Sequence, residues 1–153
     1  MNEATPTSSP AQALSVLSKV PSAMLVEPYF RLEQLVDISG FENIVRVLVG
    51  PHLSPRDIEL LAFGLPSTGR AIEIRQAKSL HDRYLIPADN DEGVLMLGVS
   101  LGGIGKKVST LTTLGPAVCE VIRELHESIW ESSEIIEPKN PPTHPATPSE
   151  LTP

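Results

Sequence analysis

The chain has 153 residues, of which 41% are hydrophobic and 20% are charged, and this composition fits one globular domain with a modest core. A formal net charge of −7 argues against a surface that coats nucleic acid, because neutralising phosphates requires clustered Lys and Arg. The lone Cys119 excludes an internal disulfide and a zinc site of several cysteines. No apolar run approaches the roughly 20 residues of a membrane span, and the N-terminus lacks a signal-peptide pattern, so we expect a cytoplasmic protein.

Two polar or proline-rich segments flank the apolar part of the sequence. Residues 1–20 are rich in Ser, Thr, Ala and Pro, and residues 138–153 hold six prolines. Neither segment has enough apolar surface to offset the entropy lost on ordering, so both are expected to be disordered tails. One folded domain is therefore expected over residues 21–137. The C-terminal tail is expected to be a linker or solubilising segment, with a recognition role as the alternative.

Apolar runs rich in β-branched residues alternate with segments of helical periodicity in the first half of the domain. They predict, in chain order, a strand over residues 23–30, a helix over 31–39, a strand over 43–50 and a helix over 54–64. Ser54 is the expected N-cap of the second helix, and Pro55 suits its first helical position.

Consecutive strands and one long helix are predicted for the second half of the domain. The strands are expected over residues 71–77, 80–86 and 93–101, with a turn over residues 89–93. The helix is expected from Pro116 to about Glu134. Strand–helix alternation followed by consecutive strands predicts an α/β fold, in which a mixed β-sheet is flanked by helices.

The residue types suited to chemistry gather at His81-Asp82-Arg83. In a strand His81 and Arg83 would share one face, while Asp82 would point to the other. The imidazole can attack phosphorus or shuttle a proton, and the guanidinium can hold two phosphate oxygens in a bidentate fork. The alternative is an ordinary solvated or packed pair, because His and Arg often neighbour each other on strands without a catalytic role.

The stretch LHDRYLIPADNDEGVLMLGVSLGGIGKK resembles the signature of the phospholipase D superfamily, in which His-x-Lys is followed by Asp and then by a Gly-Ser pair and an Asn. His81 matches the nucleophile, and Arg83 takes the position of the phosphate-binding lysine. Asp89 lies one residue beyond the aspartate position, and Ser100 belongs to an element that resembles Gly-Ser. The asparagine is replaced by glycine near Gly103. The His-Asp-Arg variant is similar to a single-motif branch of bacterial proteins.

The predicted first strand extends this resemblance, because it ends in Glu27, Pro28 and Tyr29, and the same branch usually has an acidic residue, Pro and an aromatic there. The resemblance thus implies supporting roles for Glu27 and Tyr29. Asp89 and Asp82 are expected to support the site as well, Asp82 by holding the loop or His81.

A glycine-rich stretch that includes Gly103 precedes Lys106 and Lys107. Such a stretch exposes backbone N–H groups, and the lysines add positive charge, so we expect it to bind the substrate phosphate. The alternative is a tight turn with two solvated lysines.

The remaining histidines and the tryptophan receive simpler interpretations. His52 is expected to be a surface residue near a helix start, and His126 to be solvated among glutamates. Trp130 is grouped with Leu125, Ile122 and Ile129 by helical spacing, which favours a place in the core or an interface over a base-stacking platform.

The resemblance implies a half-size phospholipase D-like domain that hydrolyses a phosphodiester, in nucleic acid or phospholipid, without a metal or another cofactor. His81 would form a phosphohistidine, while Arg83, Ser100 and Lys107 would bind the phosphate. The alternative is a catalytically degenerate binding or regulatory module, for example beside partners from a mobile-element or defence operon. Because the chain holds one motif, we expect a homodimer that brings two histidines to one phosphate.

Overall fold

The structure, a computed structural model, describes Ser15, residues 17–98 and residues 111–140. Its strands are β1 Ala23–Glu27, β2 Ile44–Val49, β3 Glu73–Gln76, β4 Tyr84–Pro87, β5 Leu95–Leu97, β6 Leu111–Thr113 and β7 Glu134–Ile135. The helices that follow β1 in this part of the chain are α1 Leu32–Ile38, α2 Pro55–Ser67 and α3 Pro116–Ser132.

The described strands form one mixed sheet in the order β6-β5-β4-β1-β2-β3-β7. Strands β1, β2 and β3 are parallel and are joined by α1 and α2. Strand β4 runs antiparallel to β1, and β5 and β6 continue as an antiparallel meander, while β7 is antiparallel to β3. The predicted mixed sheet flanked by helices is thereby confirmed.

This topology brings several strand ends to one edge of the sheet. Glu27 ends β1, Gly50 follows β2 and Gln76 ends β3, while the antiparallel β4 begins beside them just after Arg83. We call this the carboxyl edge. In open α/β sheets ligands commonly bind where parallel strands end, because loops diverge there and leave a crevice.

The central strand β1 is buried along its whole length, since apolar clusters cover both faces of the sheet. Leu25 packs with residues of α1 and α2 on one face. Met24 and Val26 pack on the other face in a cluster that includes Trp130 of α3. A strand covered on both faces reads as a continuous apolar run, which explains the AMLV sequence of β1.

The packed part of the domain includes Leu17, which lies in the segment expected to be a tail. Its side chain is 1% exposed and belongs to the core between the sheet and α1 and α2. The Asn43 side-chain amide donates hydrogen bonds to the Leu17 carbonyl at 2.8 Å and to the Val20 carbonyl at 2.7 Å. These contacts tie this segment to the start of β2.

Helix α2 begins as predicted. The Ser54 hydroxyl accepts a hydrogen bond from the Asp57 backbone N–H at 3.1 Å, and Pro55 occupies the first turn. The Asp57 carboxylate in turn accepts from the Ser54 backbone N–H at 3.1 Å, which completes a capping box. The Ser54 hydroxyl also donates to the Asp57 carboxylate at 2.9 Å, and this bond, together with the one from the Ser54 backbone N–H, lowers the pKa of Asp57.

The prediction of a strand over residues 80–86 was wrong at its start, because β4 begins at Tyr84. Its neighbour β1 ends opposite this point, with Val26 paired to Tyr84, and the chain then turns at Pro28, which has no N–H to donate. His81 and Asp82 therefore have no partner strand and precede the sheet. The short strands β6 and β7 were not predicted. The predicted long helix is present as α3, which begins at Pro116 and ends at Ser132, two residues before the expected end.

Candidate functional site

A buried ion pair lies at the centre of the carboxyl edge. Glu27, at the end of β1, is 0% exposed. The Arg83 Nε–H contacts both of its carboxylate oxygens, at 3.0 and 2.9 Å, and the Tyr29 backbone N–H donates to Oε1 at 3.1 Å. A buried carboxylate without such partners would be strongly destabilising. Glu27 therefore positions the Arg83 guanidinium at the carboxyl edge of the sheet.

The Nε–H group is the part of Arg83 that binds Glu27. Among the described residues, its terminal Nη1 and Nη2 groups have no hydrogen-bond partner. The side chain is 27% exposed, and the guanidinium carbon lies 5.8 Å from the centre of the Tyr29 ring. A guanidinium held at one side and open at its fork is suited to bind two oxygens of a phosphate.

An aromatic pair extends the edge beside Arg83. Tyr29 is 53% exposed and stacks on the His52 imidazole, with ring centres 5.9 Å apart and planes inclined by 17°. The Gly50 N–H donates to the Pro28 carbonyl at 3.2 Å, and the Gln76 side chain donates to the Gly50 carbonyl at 3.2 Å. These bonds hold the loop after β2 against the end of β1, which brings His52 to Tyr29.

His81 lies on the exposed segment just before β4, two residues from Arg83. Its Nε2 is 3.3 Å from the Ser79 hydroxyl oxygen. Arg83 turns to Glu27 and Tyr29, whereas His81 lines a groove beside α3 together with Asp82. Because β4 begins at Tyr84, neither residue lies within the strand, and the strand face that they were predicted to share does not form.

The groove beside α3, which we call the α3 groove, has a volume of about 530 Å³. Lys78, Ser79, His81 and Asp82 contribute its polar lining on the side of the β3–β4 connection. Helix α3 contributes the opposite wall, with the side chains Ile122, Leu125, His126, Ile129 and Ser132.

His126 is buried, and its expected exposure to solvent was wrong. It is 4% exposed because it shares the sheet-facing side of α3 with Cys119 and Trp130. Its Nδ1 lies 2.7 Å from the Ile122 carbonyl, and its ring meets the Tyr84 ring edge-on at 5.1 Å between centres. Burial lowers the pKa of the His126 imidazole, which is therefore neutral at pH 7.

Tyr84 links this histidine to the His81 segment. Its hydroxyl contacts the Asp82 carboxylate at 3.4 Å. Burial raises the pKa of the Tyr84 phenol, and the nearby negative charge of Asp82 raises it further. Tyr84 therefore remains protonated at neutral pH and can donate a hydrogen bond to Asp82.

Asp89 lies apart from His81, Arg83 and Glu27, the predicted site residues at the carboxyl edge that the structure describes. It follows the far end of β4, so the length of that strand separates it from His81. Its side chain accepts a hydrogen bond from the Asp91 N–H at 2.9 Å, and its carbonyl accepts one from Arg123 at 2.9 Å. Both bonds stabilise the turn before β5. The predicted phosphate-binding residues Ser100, Gly103, Lys106 and Lys107 lie outside the described residues.

Two of the edge residues, His52 and Gln76, were not predicted as site residues. Both follow or end parallel strands, where the rule that ligands bind at carboxyl ends would have indicated them. Across the described part of the chain, no group of three or more His, Cys, Asp or Glu side chains is placed to hold a metal ion. The helices of that part are too short or too polar to traverse a lipid bilayer.

No protein-family model matches the sequence. A comparison with curated proteins also gives no match. Among solved structures, Nuc from Salmonella typhimurium, a phospholipase D family member, superposes with a TM-score of 0.54 at 15% identity, over 83% of this chain and 90% of Nuc. TrmBL2, an archaeal chromatin protein whose structure shows a novel mode of DNA binding, gives a TM-score of 0.52 at 17% identity. That match covers 85% of this chain and 53% of TrmBL2. The chain therefore shares its α/β fold with this phospholipase D family member.

Proposed function

We propose that the chain is a phosphodiesterase of the phospholipase D type, with His81 as nucleophile and Arg83 as phosphate ligand. The observation that carries this proposal is the open guanidinium fork of Arg83, held by the fully buried Glu27 two residues from an exposed imidazole. The fold shared with a phospholipase D family member supports it, as does the likeness to a chromatin protein that binds DNA.

The reaction proceeds in two steps. The His81 imidazole attacks phosphorus, an N–P bond forms, the P–O bond to one ester group breaks, and the departing oxygen takes up a proton. Water then attacks the phosphorus and gives up a proton to the group that protonated the departing oxygen, the N–P bond breaks, and a phosphomonoester leaves with the imidazole restored. Arg83 donates to the non-bridging oxygens, where negative charge accumulates as the phosphorus becomes five-coordinate. No metal or other cofactor takes part in either step.

The glycine-rich segment completes the phosphate site in this proposal. Ser100 and the lysines Lys106 and Lys107 donate to the phosphate oxygens, and Gly103 allows backbone N–H groups to approach them. These residues follow β5, whose neighbour β4 starts at the carboxyl edge. The resemblance of the motif to the phospholipase D signature supports their roles.

Turnover of bis-p-nitrophenyl phosphate in the presence of EDTA tests the proposal. We expect the wild-type chain to release p-nitrophenol and His81→Ala to lose at least 100-fold in rate, since general-base and nucleophilic groups typically contribute about this much or more. His144→Ala, in the C-terminal proline-rich segment, is the matched control and should retain the wild-type rate. Phosphate binding without any turnover would instead favour the non-catalytic binding module.

A further inference from the structure

The α3 groove contains a buried polar atom that the proposed chemistry does not use. His126 is 4% exposed, and its Nδ1–H donates to the Ile122 carbonyl at 2.7 Å. Because a carbonyl can only accept, the other nitrogen, Nε2, carries the lone pair in the neutral ring. Among the described residues, Nε2 has no hydrogen-bond partner. Buried polar atoms are almost always paired with protein groups or with water, so an acceptor without a protein partner on the groove wall is available to a ligand that carries a donor.

The rest of the groove limits the shape of that ligand. Leu80, Ile122 and Ile129 give it apolar walls, and its volume is about 530 Å³. An acyl chain would fill these walls but leave Nε2 unpaired. A flat heteroaromatic ring with an N–H on its edge can pack against the apolar walls and donate a hydrogen bond to Nε2. A nucleobase has this chemistry.

The position of the groove connects it to the phosphate site. His81 lines the groove and also lies two residues from Arg83. If His81 attacks the phosphorus of a nucleotide, a nucleoside of that nucleotide can enter the groove that His81 lines.

We propose that the α3 groove is a nucleobase subsite, in which an exocyclic N–H of the base donates to Nε2 of His126. The subsite rests on the proposed phosphodiesterase function and assigns nucleic acid, rather than phospholipid, as its substrate class. Burial lowers the pKa of His126, so its ring remains neutral and Nε2 remains an acceptor at neutral pH. The edge-on contact with Tyr84 holds the ring orientation.

Calorimetry with the full chain tests the subsite through three ligands: adenosine 5′-monophosphate, its N6,N6-dimethyl analogue and ribose 5-phosphate. The dimethyl analogue lacks the donor, and ribose 5-phosphate lacks the base. We expect the wild-type chain to bind adenosine 5′-monophosphate at least tenfold more tightly than either of the other two.

The variant His126→Phe removes Nε2 and keeps an aromatic ring of similar size against Tyr84. It should weaken binding of adenosine 5′-monophosphate at least fivefold, abolish discrimination against the dimethyl analogue, and leave the affinity for inorganic phosphate unchanged. Ser128→Ala, exposed on the same helix outside the groove lining, should behave as wild type. The ligand series on the wild-type chain keeps the test valid if the variant folds poorly.

Equal affinity of the wild-type chain for adenosine 5′-monophosphate and ribose 5-phosphate would overturn the subsite. A folded His126→Phe chain with unchanged discrimination would overturn the role of His126. The failure of the proposed function is separate, since it appears as absent turnover of bis-p-nitrophenyl phosphate, a substrate without a nucleobase.

Discussion

At the scale of single residues, Arg83 has two roles that can be separated by substitution. Its Nε–H neutralises the buried Glu27, and its terminal N–H groups remain open for a ligand. A loss of phosphate binding in Arg83→Ala would therefore mix a lost ligand contact with a destabilised fold. The lysine substitution keeps a charge near Glu27 but loses the planar fork, and it is the cleaner test of the ligand role.

Arg83→Ala should lower the free energy of unfolding by roughly 3 kcal/mol, because it leaves a fully buried carboxylate without its charge partner. The double variant Arg83→Ala/Glu27→Gln should recover part of that loss, since the unpaired charge is removed. Urea denaturation monitored by circular dichroism measures both. If Arg83→Ala alone were as stable as wild type, the ion pair would have no structural role.

The burial of His126 predicts a pH dependence of stability. Its pKa in the folded chain is below the ordinary value of 6.5, chiefly because burial disfavours the charged ring. Between these two pKa values the unfolded chain binds more protons than the folded chain, so stability present above pH 6.5 is lost as the pH falls.

The variant His126→Phe should therefore lose less stability between pH 7.5 and pH 5.5 than the wild-type chain does. Urea denaturation at several pH values in this range provides the comparison. Parallel stability curves for the two chains would show that His126 titrates alike in the folded and unfolded states, contrary to its burial.

At the scale of elements, the sequence predicted those parts of the fold whose signals are local. The alternation of strands and helices up to α2 follows from hydrophobic periodicity, and Ser54 with Pro55 marked the start of α2. The start of β4 could not be predicted from local sequence patterns, because it depends on where the neighbouring strand β1 ends. Strands β6 and β7, with three and two residues, are too short to show a period.

The candidate site was predicted in part for a similar reason. Glu27, Tyr29 and Arg83 were identified from the motif, and the structure brings them together. Spacing along the chain does not say at which edge of a sheet a residue lies, so Asp89 was grouped with His81 although β4 separates them. His52 depends on a contact between two loops that no local pattern encodes.

The junction between β1 and β2 gives a prediction about Gly50. A Cβ atom there would lie 2.6 Å from the Pro28 carbonyl oxygen, a backbone atom that cannot rotate away. Gly50→Ala should therefore cost about 2 kcal/mol of stability through overpacking and move His52 from Tyr29. Gly40→Ala is the matched control, because its nearest atom would be the Asp37 carbonyl oxygen at 3.9 Å. The melting temperatures of both variants, measured by thermal unfolding, test this prediction. Equal melting temperatures would contradict the close approach of residue 50 to the Pro28 carbonyl.

At the scale of the whole molecule, the chain holds one His-Asp-Arg motif. The proposed reaction has two proton-dependent events, the attack by one imidazole and the protonation of the leaving oxygen. A two-fold homodimer would supply a second His81 for the leaving group across a shared cleft.

We therefore expect a dimer in light scattering and a specific activity that falls when the chain is diluted below its dissociation constant. The rate per chain should recover when the diluted protein is concentrated again. A monomer with a full rate at every dilution would contradict the shared cleft and leave the protonation to water or to a group of the same chain.

The most direct test of the central claim is the detection of a covalent intermediate on His81. The wild-type chain is mixed with bis-p-nitrophenyl phosphate, quenched at alkaline pH to preserve the N–P bond, digested and analysed by mass spectrometry. We predict a p-nitrophenyl phosphoryl group on the peptide that contains His81, and no such adduct in His81→Ala. His81 as the nucleophile would be contradicted if the wild-type chain turned over the substrate without forming the adduct. An adduct on another residue would contradict it as well.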